Sequence, residues 1–169
     1  MLELKVHDGE REVVLRFEHS LLSLSKWESK YKKPFMVVGQ KSAREMLDYY
    51  ECMLLPPEDD PDLLVLLDPE QMDQLTTYIN EPQTASSVPD EGRKGGDGET
   101  ITSELIYYWL SQMRIPFQPT ETWHLSRIVM LVQITGWKQQ PAKKRKPAEV
   151  YREWIAENER RKKLFKTRG

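Results

Sequence analysis

The residues of this chain that could do chemistry are few and dispersed. His7, His19 and His124 are the three histidines and Cys52 is the one cysteine among 169 residues. A zinc site needs ligands gathered at short spacings, and neither HExxH nor a pair of cysteines is present. His124, between Trp123 and Leu125, reads as a helix histidine near a core edge, since no base or nucleophile motif stands beside it. Ser20, Ser23 and Ser25 lie in no GxSxG context. "GRKGGDG" is a loop composition rather than a phosphate cradle, because it has neither the GxxxxGK[ST] ending nor a strand-linked GxGxxG. "PEDDPD" has carboxylates for a cation, but it lacks the EF-hand spacing and glycine, and its Asp-Pro order is explained by helix capping. These residues predict no catalytic, cofactor or metal site. The expectation is a non-enzymatic protein.

The elements that position these residues follow from local pattern. Leu2, Leu4 and Val6 alternate with charged neighbours, as do Val13, Leu15 and Phe17, around Asp8-Gly9. This predicts a β-hairpin over 2–7 and 12–18, which must lie on helices or pair with another subunit. Ser25-Lys26-Trp27-Glu28 and Ser42-Ala43-Arg44-Glu45 have capping-box spacing and open two helices. In the second, Met46, Tyr50, Met53 and Leu54 share a face, with Asp48 and Glu51 elsewhere, and Pro56-Pro57 ends it. Asp60-Pro61 and Asp68-Pro69 start two more. Residues 82–99 are Gly- and Pro-rich without apolar periodicity and predict a flexible loop.

Residues 101–137 form the most apolar stretch and hold three of the five tryptophans. They predict a helix from Thr102 to Met113 and a second from Glu121 to Thr135, capped by Thr120 and stopped by Gly136. Both are apolar on nearly all sides, and the short connection favours an antiparallel pair. Tyr107, Tyr108 and Trp109 point in three directions around one helix. One face can meet Trp123 and Ile128, while another must pack on the N-terminal half, a second subunit or a client. After Trp137 a basic linker with Lys143, Lys144, Arg145 and Lys146 leads into a last helix, edged by Val150, Tyr151, Trp154 and Ile155.

The fold class expected is mainly α with a small N-terminal β-hairpin, a helical domain plus a basic C-terminal helix. Its parts are 1–81, the loop 82–99, an apolar helical pair over 100–137 completing the core, and 138–169. The net charge of -2 hides an asymmetry. From Met46 to Gly92 there are twelve carboxylates and no Lys or Arg; from Lys138 to Gly169 there are twelve Lys or Arg against four Glu. Such regions attract each other, within or between molecules, over a range set by salt. The longest apolar run, Ile128 to Ile134, is broken by Gln133 and too short to span a bilayer, so no membrane is expected. The charged, alternating N-terminus is no secretory signal, and the lone cysteine points to a reducing compartment. The basic tail could neutralise phosphates and Trp137 or Trp154 could stack on bases, but the rest of the chain is acidic and would repel nucleic acid, which is not the expected partner.

"EHSLLSLSKWESKYKKPF", "ITSELIYYWL", "IPF", "WHLSRIVMLVQI" and "KKRKPAEVYREWIAENERRKKL" occur in this order. With these phrases the chain resembles the tail assembly chaperones of long-tailed bacteriophages, small proteins encoded near the tape-measure protein. The likeness covers nearly the whole chain and is least clear in the acidic middle and the Gly-rich loop. It implies a largely helical, non-enzymatic protein of the host cytoplasm. Such a protein would bind the tape-measure protein, keep its apolar helices soluble, and leave as the tail tube polymerises, so that it is absent from the mature virion. The candidate protein-binding residues are Tyr107, Tyr108, Trp109, Trp123 and His124, with Lys143, Lys144, Arg145 and Lys146 as an electrostatic strap. A homo-oligomer along a long client is one consistent geometry. The alternatives are a structural virion component, such as a connector or tail-completion protein, and a nucleic-acid-binding protein acting through the basic tail.

Overall fold

A computed structural model describes residues 1–37, 39, 41–57, 59–88, 100–139 and 147–165. The chain divides into two compact units, Met1–Lys138 and Gln139–Gly169. It is mostly helical, with an N-terminal antiparallel hairpin and a short third strand.

The hairpin consists of β1 (Leu2–Asp8) and β2 (Arg11–Phe17), with Leu4 opposite Leu15 and Val6 opposite Val13. These four and Phe17 are buried, so the alternation seen in the sequence sorts one face into the core. The turn sits one residue later than Asp8-Gly9 suggests. Asp8 still pairs with Arg11, and Gly9 takes the positive φ of 63° that the first of two turn positions requires. The hairpin lies on helices and also gains β3 (Leu54–Leu55), which pairs antiparallel with the end of β2.

Helix α1 (Leu21–Tyr31) starts a full turn before the expected Ser25 box. Ser20 caps it, its Oγ accepting from the Ser23 N–H at 3.1 Å, and the extra turn buries Leu21 and Leu24 completely. Helix α2 (Ala43–Met53) opens with the expected Ser42–Glu45 capping box, and β3 follows directly, before Pro56. Its buried face is centred on Tyr49 and Met53, and Asp48 turns inward as well. Asp48 tolerates this because Lys30 Nζ lies 2.7 Å away and the Tyr31 hydroxyl donates to it. These two partners, the ammonium first, hold its carboxyl below the usual carboxylate range. Both Asp-Pro starts are present. Asp60 caps a 3₁₀ helix, η1 (Pro61–Leu66), and Asp68 caps α3 (Pro69–Asn80) with Gln71 closing a capping box.

Helix α4 (Ser103–Gln112) is capped by Thr102, as expected. Its main packing partner is α1 rather than the last apolar helix. A short turn, α5 (Phe117–Thr120), and helix α6 (Leu125–Gln139) follow. Thr120 therefore ends α5 instead of capping α6. The intervening residues are held out of helix by the start of α1 and the two residues before it: the Leu22 N–H donates to the Glu121 carbonyl at 3.1 Å, the Leu125 N–H donates to the His19 carbonyl at 2.7 Å, and Ser20 bridges to His124. Gly136 does not stop α6, which runs three residues past it.

The second unit contains α7 (Pro147–Phe165), the expected basic helix. No helix among the described residues is long and apolar enough to cross a membrane. Cys52 is half-buried and unbridged.

Candidate protein-binding surface

Glu28, expected as a capping residue of α1, does something else. It is buried on the inner face of α1, and its carboxylate accepts from the Phe35 N–H at 2.9 Å and the Ser103 N–H at 2.7 Å. Ser103 is the first residue of α4, where the free N–H groups and the helix dipole favour a negative charge. One carboxylate thus fixes the turn after α1 and the start of α4. The sequence carried a signal for it: Glu28 continues the apolar repeat of Leu21, Leu24 and Trp27, where a solvated glutamate is out of place.

A second buried polar group roots α6. The His19 and His124 rings meet edge-on with centroids 5.1 Å apart, and the Tyr78 ring meets His124 edge-on as well, with centroids 5.0 Å apart. His19 Nδ1 is 2.5 Å from the Tyr49 hydroxyl. His124 Nδ1 accepts from the Ser126 N–H at 3.3 Å, so its Nε2 carries the hydrogen and donates to the Tyr78 carbonyl at 3.3 Å. The Ser126 hydroxyl, 2.8 Å from Nδ1, also accepts from the Gln83 N–H. Burial, reinforced by the neighbouring His124, pushes His19 down to about 3. Burial also lowers His124, against the opposing pull of the Glu18 carboxylate. Glu18 accepts from the Tyr78 hydroxyl at 2.8 Å. This pair locks the start of α6 to the N-terminal half. Sequence reading missed it because the partners are far apart along the chain.

The candidate binding residues separate accordingly. His124 is 4% exposed and belongs to this internal lock, not to a surface. Trp109 is half-buried against the core. Tyr107 is also half-buried. Its ring meets Phe117 edge-on rather than Trp123, and its hydroxyl donates to Glu121 at 2.9 Å; burial, and then this bond to a carboxylate, raises its pKa. Tyr108 is on the surface, 56% exposed. Trp123 is partly exposed, with the Arg127 guanidinium 5.3 Å over its ring. Lys143, Lys144, Arg145 and Lys146 lie outside the described residues. So does most of the expected loop, 89–99.

Trp123 forms one end of an open groove of about 400 Å³ between α6 and residues 83–86. Met130, Leu131 and Ile134 line it, and Arg127 is the only charged residue of its lining among the described residues. Met130, Leu131, Val132 and Ile134 are half-buried without joining the core cluster, whereas Leu125, Ile128 and Val129 at the root of α6 do join it. The lining is mixed: Gln83, Thr84 and Ser86 are polar, and the large apolar side chains lie on the α6 side with Trp123, a surface that suits the apolar face of a helix. It was not named from sequence, because a helix apolar on all sides does not tell which side is left over. The histidine pair does not line it. Among the described residues no group of three His, Cys, Asp or Glu is arranged to hold a metal ion.

Compared with known proteins, the chain matches no family model, no curated sequence and no solved structure.

Proposed function

We propose that this chain is a non-enzymatic tail assembly chaperone of a long-tailed bacteriophage. It acts in the host cytoplasm, holds apolar helices of the tape-measure protein in solution, and departs before the virion is complete. The sequence phrases of the resemblance support this reading. The structural observation that carries it is the groove on α6, where Trp123, Met130, Leu131 and Ile134 offer apolar surface that the core leaves uncovered. A holdase needs such surface, and it needs moderate affinity so that the client can leave.

Co-expression with the tape-measure protein tests the proposal. The chain is expected to keep the client soluble and to co-purify with it, and Leu131→Ser with Ile134→Ser is expected to abolish both effects in a folded protein. Unchanged client solubility with the variant removes the groove from the mechanism. Mass spectrometry of purified particles separates the alternative: presence at fixed copy number makes the chain a structural virion component.

A further inference from the structure

A second groove lies on the opposite chemical footing. It has a volume of about 550 Å³ and is formed by α2, η1 and the start of α3. Leu47, Val65 and Met72 supply its apolar lining, and Val65 stands 83% exposed on η1. Its rim is acidic. Among the described residues Glu51 pairs with Lys30 alone, at 3.9 Å, and Asp62 has no ion-pair partner. Asp48 is occupied by Lys30 and Arg44, the one basic wall. A groove with an apolar floor and unneutralised carboxylates fits an amphipathic helix with aromatic side chains and basic flanks.

The chain itself carries such a helix. On α7, Tyr151 and Trp154 are 62% and 61% exposed and stack with centroids 6.2 Å apart, and Ile155 completes the same edge. These three positions span about 6 Å of helix axis. All four Glu of the region from Lys138 onward lie within α7, from Glu149 to Glu159, and its twelve Lys or Arg are concentrated on the flanks, at 138–146 and 160–168, whereas Met46–Gly92, which supplies every lining residue of the groove except Arg44, has twelve carboxylates and no Lys or Arg.

We propose that the groove of α2, η1 and α3 receives the α7 helix of a second copy of this chain. Tyr151 and Trp154 cover Leu47 and Val65, and the basic flank that begins at Arg160 faces Glu51 and Asp62. Each copy offers one groove and one helix, so the contact is heterologous and either closes into a small assembly or continues as a row. The charge component makes it salt-sensitive. The proposal does not use the client reading, and its test contains no client, so either can fail alone.

The test is sedimentation velocity of the full chain over a concentration series in low and high salt. The expected result is self-association that weakens with salt. Val65→Lys and, separately, Tyr151→Ala with Trp154→Ala are expected to weaken it at least ~10-fold, as loss of central apolar anchors does. These side chains are largely exposed, so the fold, checked by circular dichroism, is expected to be kept. Mixing the two variants is expected to restore one-to-one pairs, since each retains the half that the other lacks. A chain that stays monomeric in low salt, association unchanged in either variant, or a mixture that fails to pair would each overturn the proposal.

Discussion

Helices α4 and α6 have similar apolar content in sequence, yet the fold uses them differently. In α4, Ser103, Ile106 and Leu110 are fully buried, and Glu28 holds the helix start against α1. In α6, only Leu125 and Ile128 are buried, both near the histidine lock, and the next two turns stay half-covered along a groove. Apolar composition therefore reports burial for the first helix and available surface for the second. The difference lies in anchoring. α4 is held at its start and along its length, whereas α6 is held at its root and leads away from the hold.

Shortening one leucine on each helix separates the two kinds of anchoring. Leu110→Ala removes a fully buried side chain and is expected to cost about 2–5 kcal/mol in urea unfolding. The same change at Leu131 is expected to cost about 1 kcal/mol or less, because that side chain is only partly covered. Equal losses would mean that both helices are core and the groove is closed in solution.

Acid should act on the root of α6. His19 and His124 are held below their ordinary value, so on acidification the unfolded chain takes up protons first. The stability from neutral imidazoles is complete above about pH 6.5 and is lost as pH falls toward 3, by up to about 1.4 kcal/mol per pH unit for His19. Urea midpoints measured across this range are expected to fall with pH, and His19→Asn is expected to flatten the slope relative to the native chain. A slope unchanged by that substitution would place the acid sensitivity elsewhere.

The smallest expected effect concerns α6 beyond its root. Gly136 sits inside the helix with nothing within 4 Å of where a side-chain carbon would be. Gly136→Ala is expected to stabilise by about 0.5–1 kcal/mol through helix propensity alone. A loss of stability instead would show that the last turns of α6 are not helical in solution.

The features legible in the sequence were those written in neighbouring residues. The alternation of the hairpin, the Ser42 box and the two Asp-Pro caps each need only four to seven residues to be recognised, and each is present. The misplaced boundaries came from distant partners. Nothing near Thr120 announces that Leu125 will donate to the His19 carbonyl, and the apolar repeat around Glu28 marks it as buried without naming Ser103 as its partner. Tyr108 and Trp123 could be named as candidates from their types. The groove around Trp123 could not, because its other wall comes from residues 83–86.

The Glu28 carboxylate has one more consequence. It grips the chain at Ser103, while Gln83 is tied to Ser126 and the root of α6 to His19. Both flanks of 89–99 are therefore held to the same body by contacts that do not pass through that stretch. A single backbone cut there is expected to leave two pieces that still embrace, which co-expression of 1–92 and 93–169 as separate fragments would test.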